Sequence, residues 1–367
     1  MATAAAALSR CAARHGAHRG STAARSALIG CQGRAAVAAS YAVRSARRNV
    51  GVTSVSQKPV VWYQSAKVPT STFATGRVGT RRDLLGSDGE FFGVDPIAVE
   101  VDIRDGRQRD LTLDKHGVEM RQHHGVVTDY YDNEQVLKKY YPECEALVCE
   151  ATGASSAVAF DHNLRAKAKK ESELHLRQGN AVQEPLITYG VHNDYTAASA
   201  PRRLEQLALP PKQNDTLKPV LGDRPAVDPA AVPELLTKRW AIINVWRNVT
   251  AKPVHRFPLG ICESSSTTTD DLVVFEIHYA DRIGENYFAR HSASHVWSYF
   301  PQITRDEVIL LKTWDSHGVD FAEAALSKDR LVPSTFALHT AFEDPATPEG
   351  APDRESIEVR VMAFFDN

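Results

Sequence analysis

The chain has 367 residues, 43% hydrophobic and 24% charged, enough to bury a full core in one large domain or two small ones. With 43 Lys and Arg against 45 Asp and Glu, a formal net charge of −2 gives no attraction to nucleic acid or an anionic membrane, and neither is expected as a partner. No apolar run approaches the roughly 18 residues that a membrane-spanning helix needs, and the five Cys, odd in number and without a Cys-x-x-Cys, fit a reducing compartment.

The first acidic residue is Asp83, and eight Arg fall within the first 50 residues. An Ala-, Ser- and Arg-rich, acid-free start has the composition of an organellar transit peptide and lacks the apolar centre of a secretory signal. Residues 1–57 are therefore read as an extension outside the fold, and residues 58–367 as one catalytic domain. Mitochondrial import is the expectation; a low-complexity extension on a cytoplasmic enzyme is the alternative.

From Pro59 the composition becomes globular. Val99-Glu100-Val101-Asp102-Ile103 alternates as a half-buried strand, and a turn at Asp105-Gly106 into Leu111-Thr112-Leu113 predicts a hairpin. Asn133 reads as the cap of a helix over 134–140, and Pro142 to Glu150 as a second helix ended by Gly153. A strand over 155–160 follows. Residues 166–184 are polar and charged, and 209–233 carry six Pro, so both read as surface or lid-forming segments. Strands are predicted at 240–246, 272–279, 286–289 and 295–300. Thr304-Arg305-Asp306-Glu307 has the form of a capping box, with Ile303 and Val308 as its staple, and predicts a helix whose buried stripe is Val308, Ile309, Leu311 and Trp314. Many strands with few helices suggest a mainly β fold, a double-stranded β-helix (jelly roll) flanked by helices.

The chemistry-bearing residues lie in the second half. On a strand, residues two apart share a face, so His192 and Asp194 project together while Asn193 points away. His339 from another strand would complete two imidazoles and one carboxylate on one side of a metal, the arrangement that suits non-haem Fe(II) oxygenases. His-x-Asp alone carries little weight. Its force comes from the alternating Arg354–Phe365 stretch after His339, where Arg354, Ser356, Glu358 and Arg360 share a face. Arg354 with Ser356 is suited to hold the far carboxylate of a dicarboxylate chelating the metal, with Arg360 as the second choice. Adjacent Asp161 and His162 point to opposite faces, so they are read as structural rather than as a metal pair. Trp297, Tyr299 and Phe300 are read as core or pocket wall.

The chain from Pro59 onward resembles the fungal and bacterial hydroxylase/desaturase family that includes the cephalosporin 7-alpha-methoxylation protein and a gibberellin desaturase, within the Fe(II)/2-oxoglutarate oxygenases. The resemblance runs in one order through Tyr140-Tyr141-Pro142-Glu143, Phe160-Asp161-His162-Asn163-Leu164-Arg165, Val191-His192-Asn193-Asp194-Tyr195, Asn244-Val245-Trp246-Arg247, Trp297-Ser298-Tyr299-Phe300-Pro301, His339-Thr340-Ala341-Phe342 and Arg354-Glu355-Ser356-Ile357-Glu358. It implies His192, Asp194 and His339 as iron ligands, and Arg354, Ser356, Asn244 and Arg247 as cosubstrate-binding residues. It also implies Fe(II) and 2-oxoglutarate, with ascorbate as an accessory reductant, and a small-molecule substrate from secondary metabolism that is hydroxylated or desaturated. Asn248 departs from the family's usual Pro after Trp-Arg. The competing readings are a cupin-like metal-dependent isomerase or hydrolase, which consumes no dioxygen, and a noncatalytic metabolite-binding protein.

Overall fold

The computed structural model describes residues 58–82, 88–167, 169, 183, 190–279, 282–321 and 333–366. The extension over 1–57 and most of the polar segment 166–184 lie outside the described residues.

Two sheets carry the fold. One has five strands in the order Val118–Gln122, Glu307–Asp315, Trp240–Asn248, Glu355–Phe364, Ser156–Ala166, every pair antiparallel. The other has nine, in the order Asp88–Phe92, Gly79–Arg82, Leu272–His278, Ile283–Ala289, His192–Asn193, Leu338–Ala341, Leu259–Cys262, Trp297–Tyr299, Ile103–Asp105. Val60–Gln64 and Pro96–Glu100 form a separate two-stranded ribbon.

All nine residues of Trp240–Asn248 are buried, because the strand is central in its sheet and covered on both faces. Val245, with Tyr140, Cys144 and Val148 of the neighbouring helical segment, belongs to the larger apolar cluster; Trp246 belongs to a second cluster with Val118, Ile261, Ile309 and Leu311. Successive residues thus face different cores, as the two-residue period of a strand requires.

The helical segment is one run rather than two. Asp132, not Asn133, caps it by accepting from the Glu134 and Gln135 N–H groups; the chain passes through a π turn at Val136–Tyr140 into the Tyr141–Thr152 helix, and Gly153 closes it in the left-handed conformation. Pro142 sits in the first turn of the second part, where its missing N–H matters least.

Two expectations fail. Instead of a hairpin after Asp105, Gly106–Gln108 forms a 3-10 turn, and Leu113–His116 forms a short helix capped by the Thr112 hydroxyl, which accepts from Lys115 N. The helix predicted after Thr304 is instead the strand Glu307–Asp315, buried along its whole length. The local signal there is real, since the Glu307 carboxylate accepts from both the N–H (2.8 Å) and the hydroxyl (3.0 Å) of Thr304. It closes a turn, and Arg107 grips the same carboxylate with both Nη atoms at 2.6 and 2.9 Å. Val308-Ile309-Leu310-Leu311 then alternates between two cores, a continuous apolar run that a helix stripe can mimic over a few residues. Tertiary pairing with both neighbouring strands decides for the sheet.

Candidate active site

His192 and His339 sit directly opposite one another across an antiparallel pair of strands, their ring centroids 4.4 Å apart. Asn193, between His192 and Asp194, points the other way, and its amide donates to the carbonyls of Tyr195 (2.7 Å) and Thr313 (2.9 Å), fixing the short strand from behind. His192, Asp194 and His339 each offer one ligand atom, all within 4.8 Å of one another. His192, Asp194 just past the end of the same short strand, and His339 from the neighbouring strand therefore converge as the spacing predicts.

The imidazoles are oriented by the backbone. His192 Nδ1 lies 2.9 Å from the Gly190 carbonyl and His339 Nδ1 3.3 Å from the Ala337 carbonyl. A carbonyl can only accept, so each Nδ1 carries the proton and donates it, which leaves Nε2 as the lone-pair nitrogen. His192 Nε2 is 3.8 Å from Asp194 Oδ1. Burial, reinforced by His339, pushes the His192 pKa down to about 3, and burial likewise lowers that of His339. Both rings are therefore neutral at physiological pH, the state that metal ligation needs. Burial alone would raise the Asp194 carboxyl; the Arg360 guanidinium above all, helped by the Asn244 hydrogen bond, outweighs it and holds the group below the usual carboxylate range. Two neutral imidazoles and one ionised carboxylate make a donor set that fits a divalent iron.

Arg354 lies just before the Glu355–Phe364 strand and is buried. One Nη donates to the Phe257 carbonyl, the guanidinium lies 5.5 Å from the Trp246 ring centroid, and Nε has no hydrogen-bond partner among the described residues. No Asp or Glu among the described residues forms an ion pair with it. Burial, reinforced by Arg165, pulls its pKa down to about 9, and it stays charged at neutral pH. A buried cation with an orphan donor has a strong electrostatic demand for an anion. Ser356, two residues on, is buried too and lies opposite Asn248 in the register.

Asn244 and Arg247 part company. Asn244 lies opposite Arg360, and its amide donates to Asp194 Oδ2 at 2.9 Å, so it serves the carboxylate rather than a cosubstrate directly. Arg247 is three positions further along the strand, on the other face. It donates to the Tyr140 hydroxyl (3.1 Å) and to the carbonyls of His123 (2.9 Å) and Arg305 (2.7 Å), with the Tyr140 ring beside its guanidinium. Contrary to the expectation that Arg247 shares the site with Asn244, an odd spacing along the strand turns it to the other face, away from His192, Asp194 and His339. Asn248 does not line the site either: its amide closes the chain turn, donating to Lys252 O (2.8 Å) and accepting from Thr250 N (3.0 Å).

Asp161 and His162 divide as adjacent strand residues must. His162 is hydrogen-bonded to the Tyr141 hydroxyl at 2.9 Å on the helix side, whereas Asp161 pairs with Arg360 at 3.1 Å. Trp297 is core, its indole N–H donating to the Tyr63 hydroxyl (3.0 Å). The sequence reading missed the part of Arg360, which binds Asp194 rather than standing ready for a cosubstrate; its even spacing from Arg354 was the available signal.

Comparison with known proteins settles the family. A family model described as an oxidoreductase/YMDC permease-like domain matches residues 87–364. The alpha-ketoglutarate-dependent dioxygenase phiK of a fungal species is 30% identical over 270 residues, covering 72% of this chain and 83% of that protein. This chain is a member of the Fe(II)/2-oxoglutarate-dependent dioxygenases. The hydroxylase/desaturase poxK of Penicillium oxalicum is 27% identical to this dioxygenase over 298 residues, covering 74% and 80% of the two chains. An uncharacterised protein from the dcmA 3' region of Methylophilus leisingeri is 36% identical over 192 residues, 51% of this chain and 88% of that one. Among solved structures, the iron and alpha-ketoglutarate-dependent endoperoxidase NvfI superposes with a TM-score of 0.60 at 21% identity, over 84% of this chain and 98% of that one, which bears out the jelly-roll fold. The dioxygenase takes Fe(II) and 2-oxoglutarate and acts on a small molecule.

Proposed function

We propose that His192, Asp194 and His339 hold the iron of this dioxygenase, and that Arg354, with Ser356, anchors the distal carboxylate of 2-oxoglutarate. The observation that carries the reading is the pairing of a convergent two-His, one-carboxylate set with a buried arginine that forms no ion pair with a carboxylate among the described residues. When bound, iron and 2-oxoglutarate supply oxidising power from dioxygen, with 2-oxoglutarate converted to succinate and carbon dioxide. The chain's own residues do the rest: the Gly190 and Ala337 carbonyls fix the imidazole tautomers, Arg354 sets the cosubstrate's direction, and burial excludes water.

The substrate class we propose is a secondary metabolite carrying an unactivated carbon that is hydroxylated or desaturated, in line with the relatives named hydroxylase/desaturase. The catalytic unit we propose is residues 58–367, and the acid-free residues 1–57 direct it to mitochondria.

Succinate formation under air, with iron and ascorbate present, tests the iron site. His192→Ala and Asp194→Ala should each abolish turnover with the fold intact by circular dichroism; full activity in the double variant would sink the ligand assignment. A fluorescent reporter carrying residues 1–57 should enter mitochondria, and a diffuse cytosolic signal would refute the import reading alone.

A further inference from the structure

The two oxygens of Asp194 have different surroundings. Oδ1 is the one 3.8 Å from His192 Nε2. Oδ2 accepts from the Asn244 amide at 2.9 Å and from Arg360 Nε at 3.1 Å. Asn244 is itself oriented, because its own oxygen shares the Thr313 hydroxyl proton (3.3 Å) with the Ile242 carbonyl (3.2 Å), which turns the NH2 group toward Asp194.

Arg360 is clamped on every side. Nη1 donates to Asp161 Oδ2 at 3.1 Å, and Nη2 lies 3.7 Å from Glu358 Oε1. With its amide oxygen turned to the guanidinium, Asn163 accepts from Nη2 at 2.9 Å and Nη1 at 3.1 Å. A planar fork with this many acceptors has no rotational freedom, so the position of Nε, and through it of Oδ2, is set by the neighbouring Ser156–Ala166 strand and by Glu358 of Arg360's own strand. The backbone of Asp194 is tied as well, its carbonyl accepting from the Asn286 amide at 3.0 Å when that amide faces it.

We propose that Arg360 and Asn244 are positioning residues for the metal: together they occupy Asp194 Oδ2 and present Oδ1 alone as a one-oxygen ligand. This rests on the reading of His192, Asp194 and His339 as ligands. A carboxylate that binds through one oxygen takes one coordination position rather than two, and a three-residue site then leaves room for a chelating cosubstrate and dioxygen. Removing either donor frees Asp194 to rotate or to spread both oxygens over the metal. Arg360 is thus assigned away from the cosubstrate and to the ligand.

The test uses the full chain, freed of metal and titrated anaerobically with Co(II), read by the visible absorption of the bound ion. Wild-type protein should take one Co(II), and Asp194→Ala should take none. Arg360→Gln and Asn244→Ala should each weaken binding roughly 10- to 100-fold, the usual effect of losing a hydrogen bond to a metal ligand, and should change the absorption per bound ion. Arg360→Lys, which restores charge with a single donor geometry, should recover part of the affinity. Thermal unfolding of the metal-free variants separates this from lost stability, and if Arg360→Gln does not fold, Asn244→Ala and Arg360→Lys carry the test. Wild-type binding that is lost in His192→Ala but unchanged, in strength and absorption, in the folded variants would overturn this inference alone. Wild-type protein that binds no Co(II) would overturn the ligand reading and this inference with it.

Discussion

Arg354 and Arg360 stand six residues apart along one edge of the same interior, both buried and both cationic, and their surroundings are opposite. Arg360 meets Asp194, Asp161, Glu358 and Asn163, and those acids raise its pKa well above the ordinary value against the pull of burial. Arg354 meets a backbone carbonyl and an indole face, and burial with the like charge of Arg165 lowers its pKa, which Glu358 offsets only in part. The difference separates a finished ion-pair network from an incomplete one. A finished network fixes what it touches, whereas an incomplete one draws in a carboxylate from outside.

Removing the charge at the incomplete end should have the largest effect. Arg354→Met is expected to raise the apparent constant for 2-oxoglutarate roughly 100-fold or more, since truncating one partner of a buried charge pair costs about 2–5 kcal/mol. Iron or Co(II) binding should persist. Arg354→Lys keeps the charge but not the fork and should fall short of that, at roughly 10-fold or somewhat above. Steady-state kinetics at varied 2-oxoglutarate decide this, and unchanged constants in both variants would place the anchor elsewhere.

Ser356→Ala removes one uncharged donor beside Arg354 and should cost about 1 kcal/mol, roughly a fivefold rise in the same constant. Arg247→Lys is the expected blank on that scale. It should lower the melting temperature by disturbing Tyr140, His123 and Arg305 on the opposite face, and leave the cosubstrate constant where it was. A selective loss of cosubstrate affinity there would contradict the face assignment.

Acidification probes the buried imidazoles. Burial holds His162 near a pKa of about 4 and His192 near about 3, against 6.5 in an unfolded chain. Below 6.5 the unfolded state takes up protons that the native state refuses, so stability of the metal-free protein should decline as pH falls from about 6.5 toward 4. Glu307, held down to about 2 first by its Arg107 hydrogen bonds, adds to the loss below about 4.5. Its contribution is present above the ordinary carboxylate pKa and disappears as pH drops through the native one. Melting temperatures at stepped pH measure the decline, and a stability that is flat from pH 7 to 4 would contradict the buried neutral imidazoles.

Much of this protein was legible in its residues. The two-residue period of a strand put His192 and Asp194 on one face, excluded Asp161 and His162 from ligating jointly, and aligned Arg354 with Ser356, because alternation is a property of the backbone that needs no partner. The strands predicted at 240–246 and 272–279 were readable from their apolar runs, and the helix stop at Gly153 from the left-handed conformation that glycine adopts freely. Tertiary structure alone decided the rest. Thr304 to Trp314 carries a helix-start motif and an apolar stripe, yet it lies between two strands whose hydrogen bonds it completes, and local pattern cannot weigh pairing with strands as distant in sequence as Trp240–Asn248 and Val118–Gln122. Arg247 and Asn244 sit in one motif, but which of two buried faces looks into the site depends on where the helix packs. Arg354 and Arg360 share one letter and one face, and the acids that distinguish them arrive from the Ser156–Ala166 strand and from Asp194, brought into contact only by the closing of the sheets.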